Sequence, residues 1–229
     1  EGIAEWKMGQ ALEYVFAHYK EFTSENILDH IAKAEAVSVD KFHDAGYIGT
    51  DIHQYREDYF NEWIRTGQKP ANILDFIPIE QQDVRAIAGL RGIARFVEEW
   101  HYTPVVCEML LTDEELQLGG TLDDLGIVRV ISRIGNPNCA HNLIGNHCLR
   151  CDYKFEDELV LLDLKTSNQF KTHYWFQVAL YYYMLYKQTG IKPDNAWILK
   201  VDKETGMYKL EKMRQIPDII RYAKHVVKT

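Results

Sequence analysis

The sequence predicts an α/β fold: a mixed β-sheet core flanked by helices, with a helical N-terminal half and a small cysteine–histidine metal-binding insertion. Three observations predict it. Residues 1–100 carry apolar side chains at helical spacing. After Pro104 the texture changes to short apolar runs bounded by turn residues. Between them, Cys139, Cys148 and Cys151 crowd together with histidines in a segment of loop formers. The 229 residues are read as one domain: 1–100 mainly helical, 101–229 the α/β core, and 136–152 the insertion.

The first helix is expected from Trp6 to Tyr19, with Trp6, Ala11, Leu12, Val15, Phe16 and Tyr19 along it. Ser24 offers a cap for a second, which runs through Ile27, Ile31, Ala34 and Val37. A third stretch carries Gly46, Ile52, Tyr55, Tyr59, Phe60, Trp63 and Ile64 before Gly67 and Pro70 break the pattern. A fourth covers Glu80 to Trp100. Strands are expected over Val105–Leu111, Ile127–Ile134 and Leu159–Leu164. A long helix from Phe170 to Gln188 ends at Gly190 and Pro193. Asn195–Val201 and Met207–Leu210 form a hairpin around Glu204-Thr205-Gly206, and Ile216–Val227 is read as a closing helix.

With 46% hydrophobic and 26% charged residues, the balance is that of a globular protein in water. No apolar run approaches the ~20 residues that span a bilayer, so no membrane partner is expected. The chain begins at Glu1 without a methionine, which leaves room for an upstream piece carrying an address signal. The net charge of −8 argues against a uniformly basic surface for nucleic acid. A local basic groove would have to come from Arg91, Arg95, Arg129, Arg133, Arg150, Lys154 and Lys171.

The strongest chemistry lies in Leu161-Leu162-Asp163-Leu164-Lys165. An apolar run delivers Asp163 and then Lys165, and strand alternation puts both on one side. Upstream, Gly119-Gly120-Thr121-Leu122-Asp123 ends a second apolar segment with another aspartate. Two carboxylates and an ammonium on one sheet can hold a divalent cation and activate a water beside a phosphodiester. An Asp-x-Lys at a strand end is common, and a lone helical histidine or a Gln–Tyr pair is usually structural. Their order along the chain carries the weight.

In that order the segments resemble the PD-(D/E)xK nuclease superfamily, specifically its RecB-like, phage-type exonuclease branch. Gly49-Thr50-Asp51-Ile52-His53 resembles the family's helix-borne histidine motif, and Val106-Cys107-Glu108 its strand glutamate. Gly120-Thr121-Leu122-Asp123 resembles the Gly-x-x-Asp motif, Asp163-Leu164-Lys165 the Asp-x-Lys motif, and Gln177-Val178-Ala179-Leu180-Tyr181 the Gln-x-x-x-Tyr motif. The resemblance implies a restriction-endonuclease-like core and a metal-dependent DNA exonuclease of recombination, replication or repair. Its substrates would be single-stranded ends or flaps. Asp123, Asp163 and the Leu164 carbonyl would hold Mg²⁺ or Mn²⁺, and the imidazole of His53 tilts the choice toward Mn²⁺. Lys165 would orient the attacking water or stabilise charge on the phosphate. Glu108 would bind a second metal or act through water. Gln177 and Tyr181, four apart, share one helix face and would reach the site or the DNA backbone. Asp124 would face the other way unless a bulge exchanges it with Asp123. The location implied is the cytoplasm, that of the host for a phage-encoded enzyme, with recombination or replication proteins as partners.

The insertion reads Cys139-x-His141-x6-Cys148-x2-Cys151, a spacing that can close a tetrahedral shell around a structural Zn²⁺. His147 competes with His141 for the fourth place. Crowded cysteines beside histidine favour metal over a disulfide framework and suit a reducing compartment. Chance thiols in a loop are the plain alternative, and an iron–sulfur cluster the other. Relatives with such a cluster supply several cysteines near the C-terminus, whereas none follows Cys151 here.

The aromatic run from Tyr174 to Tyr186 fits helix-on-sheet core better than base stacking. Two further functions stay open: a catalytically silent nucleic-acid-binding module of a larger protein, and a restriction-type endonuclease.

Overall fold

The structure, a computed structural model, describes residues 2–23, 25–133, 139, 143–144, 147–148, 150–151, 154–167, 170–213, 217 and 220–221. The chain divides into two compact units, residues 1–51 and 52–229. In the first unit lie helix α1 (Gly2–His18), a 3-10 turn (Tyr19–Glu21) and the start of α2 (Ile27–Thr66). Tyr14 stacks on His18 and Phe22 on His30, with ring centroids 4.2 and 4.5 Å apart.

Two expectations change here. The cap of α2 is a reciprocal pair: the Thr23 N–H donates to the Asn26 side chain at 2.7 Å, and the Asn26 N–H donates to the Thr23 hydroxyl at 3.3 Å. Ser24, the expected cap, lies outside the described residues. The second and third expected helices are also one helix of 40 residues. The stretch between Val37 and Gly46 holds no proline, and one interior glycine costs a helix only about 1 kcal/mol. A weak apolar pattern by itself does not end a helix.

The second unit is a mixed α/β domain built on one sheet of seven strands among the described residues. In chain order these are β1 (Thr103–Asp113), β2 (Leu118–Arg133), β3 (Leu143–Ile144), β4 (His147–Cys148), β5 (Lys154–Lys165), β6 (Asn195–Val201) and β7 (Tyr208–Lys212). Strand β1 pairs antiparallel with β2, and β2 with β5. Strand β5 runs parallel to β6, which pairs antiparallel with β7. Helix α4 (Thr172–Thr189) makes the β5-to-β6 crossover that a parallel pair requires, and ends at Gly190 in the left-handed region. Strand β2 is longer than expected, because the Gly-x-x-Asp segment and the apolar run after it are continuous. The closing helix read from Ile216 onward falls largely outside the described residues.

Strand alternation sorts the sheet's two faces. Ala196 and Ile198 belong to the core under α4, with Leu111, Leu125, Leu161, Val178 and Leu185. Their neighbours on β6 face α3 (Val84–Glu99): Trp197 meets Trp100 edge-on at 5.1 Å, and Val201 packs where α3 brings Gly92. Helices thus flank the sheet on both sides. No helix among the described residues is long and apolar enough to cross a membrane.

Gly126 on β2 shows how tightly the α3 side is packed. A Cβ there would lie 2.4 Å from the buried Tyr102 ring, so only glycine lets ring and strand meet. Gly126→Ala is expected to destabilise the fold by about 1–3 kcal/mol, an overpacking cost. Chemical denaturation checks this; an unchanged midpoint would contradict the contact.

Candidate active site

Strand register brings the motif residues together. The β2–β5 ladder ends at Asp124↔Leu162, so the next residues, Asp123 and Asp163, stand where the pairing stops. Past that point Leu164 has no β2 carbonyl to bond. Its N–H donates instead to Asp123 Oδ2 at 2.6 Å, which satisfies a backbone group that would otherwise be orphaned. Leu122 and Leu125, three apart, both join the core under α4. Side-chain alternation is therefore broken at Asp123-Asp124, and both aspartates turn to α2, Asp123 toward His53 and Asp124 toward Arg56.

Asp123 turns toward His53 of α2, with Nδ1 and Oδ1 3.9 Å apart, too far for a hydrogen bond. Glu108 of β1 completes the group: His53, Glu108 and Asp123 each offer a donor atom, all within 4.8 Å of one another. A nitrogen and carboxylate oxygens at this spacing fit a hard divalent cation such as Mn²⁺ or Mg²⁺. Asp163 stands beside this trio. Its carboxylate is held by Lys165 Nζ at 2.7 and 2.9 Å, and that ammonium also lies 5.0 Å from the Tyr174 ring centroid on α4. Gln177 Nε2 donates to Tyr181 Oη at 3.1 Å, so these two act as a pair. Tyr181 closes on Gly120, where a Cβ would come within 2.8 Å of the ring.

Sequence reasoning passed over Arg56. It is 1% exposed, one turn beyond His53 on α2. Its Nη1 donates to Asp124 Oδ2 at 2.6 Å, and its Nη2 donates to Glu108. Spacing was the available signal, since positions 53 and 56 lie on one helix face. What hid Arg56 was its look of a solvated charge among Gln54, Glu57 and Asp58. Glu108 itself holds φ of +53°, a left-handed conformation within a strand. Such a residue costs on the order of 1–3 kcal/mol and is kept only where its surroundings hold it, here by Arg56.

Burial, with the neighbouring charges, sets the protonation states. Burial pushes Asp163 up to about 7, helped by Asp123 and opposed by Lys165. Glu108 rises to about 7, also by burial, with Arg56 opposing and Asp123 and Asp124 adding to the rise. Burial lifts Asp124 to about 6 against the pull of Arg56, leaving it ionised at neutral pH. For Arg56, burial works downward, yet Asp124 and Asp123 hold its pKa above the ordinary value. His53 falls to about 4, chiefly by burial, and is neutral above that. A neutral imidazole and acids short of positive charge are what a cation site requires.

Arg91 and Arg95 belong to α3, Arg129 on β2 pairs with Asp157 at 3.0 Å, and Lys154 on β5 with Glu156 at 2.6 Å. In the insertion, the Sγ atoms of Cys139, Cys148 and Cys151 lie within 4.8 Å of one another. His147 is exposed on β4 and does not join them, which removes the competitor that spacing allowed. His141 lies outside the described residues.

Arg56→Met is expected to cost about 3–5 kcal/mol, because it strands Asp124 as an unpaired buried charge. The double variant Arg56→Met with Asp124→Leu should recover much of that loss, which thermal unfolding of both would measure. Mn²⁺ affinity is expected to rise with pH through about 7, as Glu108 and Asp163 give up protons, while neutral His53 adds nothing above about 4. Calorimetry at pH 6 and 8 in two buffers checks the sign; affinity independent of pH would contradict it. Compared with protein-family models and with curated proteins, the chain matches none.

Proposed function

We propose that the chain is a metal-dependent deoxyribonuclease of the PD-(D/E)xK kind, with a restriction-endonuclease-like core, acting as an exonuclease on single-stranded ends or flaps. One observation carries the reading: His53, Glu108, Asp123, Asp163 and Lys165 converge from a helix and three strands where β2 parts from β5. His53, Asp123 and Glu108 would hold Mn²⁺ or Mg²⁺, with Asp163 beside them. A bound ion would lower the pKa of a water and neutralise charge on the phosphate.

The chain's own groups supply the rest. Lys165 is held on Asp163 and over Tyr174, so its ammonium is placed before substrate arrives. It would orient the attacking water and offset negative charge as the water oxygen bonds to phosphorus and the ester oxygen leaves. The water's proton passes to solvent or to the departing oxygen. Gln177 and Tyr181 would contact the strand's backbone from α4. Arg56 holds Glu108 and Asp124 and touches no substrate. Biological setting and partner proteins follow from the resemblance of the motifs alone.

Labelled linear single-stranded DNA with Mn²⁺ tests the reading. The protein should release nucleotides, Asp163→Ala should release none, and Lys165→Ala should lose about 10²–10³-fold in rate. Circular DNA should resist; a cut circle would favour an endonuclease. If wild-type and Asp163→Ala proteins both bind and neither cuts, the chain is a binding module.

A further inference from the structure

We infer that Cys139, Cys148 and Cys151 hold a Zn²⁺ ion that closes the end of the β2–β5 hairpin remote from the acidic site. The first argument is sulfur geometry. Cys139 and Cys148 Sγ lie 3.6 Å apart, and none of the four cysteines is in a disulfide. That separation is far beyond the ~2.05 Å of an S–S bond. It is close to the edge of a thiolate tetrahedron, about 3.8 Å for a Zn–S bond of about 2.3 Å. Three sulfurs converge, whereas a disulfide would use two and leave one over.

Backbone geometry agrees. The Arg150 N–H donates to Cys148 Sγ at 3.4 Å. A turn that aims an amide at sulfur stabilises the thiolate, the form that binds metal. The cysteines come from two sides of a minimal hairpin, in which Leu143 pairs with Cys148 and Ile144 with His147. Among the described residues each strand of that hairpin has two, and so short a pairing gains from a further constraint. Zinc supplies one. The fourth position falls to a ligand outside the trio; His141, which the spacing offers, lies outside the described residues.

Location assigns the role. His147 on β4 and Arg133 on β2 both pair with Lys154, so the hairpin is tied to the beginning of β5 and the end of β2. Arg133 lies ten residues along β2 from Asp123, roughly 33 Å at the rise of a strand. The ion is therefore structural and takes no part in reactions at Asp123 and Asp163. It fastens the connection between the two strands that carry those aspartates. The inference stands apart from the nuclease reading, and each can fail without the other.

Protein purified without chelator should carry one zinc per chain by elemental analysis. Cys139→Ser, Cys148→Ser and Cys151→Ser should each lose it, while Cys107→Ser keeps it. Exchange for Co²⁺ should give the visible absorption of a tetrahedral thiolate site. In the unmutated protein, chelation should raise the reaction rate of three thiols with a disulfide reagent at least about tenfold, a readout that survives if a serine variant fails to fold. Asp163→Ala should leave zinc content unchanged whether or not the protein cuts DNA. Iron with labile sulfide, or no metal with all four thiols equally reactive, would overturn the assignment.

Discussion

The buried Arg56 guanidinium is the interaction on which the acidic site depends. It ties α2 to two strands at once, through Asp124 on β2 and Glu108 on β1. His53 sits on the same turn of α2 and reaches the site because Arg56 anchors that turn. A buried ion pair stabilises a fold little, since desolvation offsets most of the attraction. What it supplies is placement: any shift of the helix would strand a charge.

That placement brings four carboxylates close together, and their crowding sets the electrostatics. Two of them, Glu108 and Asp163, lie near neutrality in their ionisation rather than in the ordinary acid range. Arg56 and Lys165 offset part of the repulsion, each from a fixed bond to a carboxylate. The remainder is what a divalent cation would relieve. Glu108 adds a strained backbone, so the same small region stores both conformational and electrostatic cost. Costs of this kind persist only where surrounding structure holds them.

The β2–β5 pair joins two different kinds of site. At one end the strands separate and hard donors gather, with side chains partly exposed. At the other the strands run into a two-by-two-residue hairpin and soft sulfur donors gather. Oxygen and nitrogen donors suit a hard cation, while clustered thiolates suit a softer one. The length of the strands keeps the two apart.

Apolar periodicity in the sequence sufficed for α3, α4 and five of the seven described strands, because each must bury a stripe or a face, whereas the two-residue β3 and β4 carry no such pattern. It split α2 in two, since a helical stretch without a regular apolar stripe carries no periodic signal, and it began β2 late, past its glycines. Resemblance of motifs pointed to His53, Glu108, Asp123, Asp163, Lys165 and the Gln177–Tyr181 pair, and local spacing flagged the cysteines. Arg56 and Asp124 were out of reach, because a buried ion pair looks like two solvated charges until both partners are placed. The turn of both Asp123 and Asp124 toward α2, the grouping of Glu108 with His53, and the exclusion of His147 from the sulfurs likewise came only from tertiary structure. Sequence by itself determined which residue types were available and on which elements. The fold decided which of them meet, because register and helix anchoring join positions far apart in the chain.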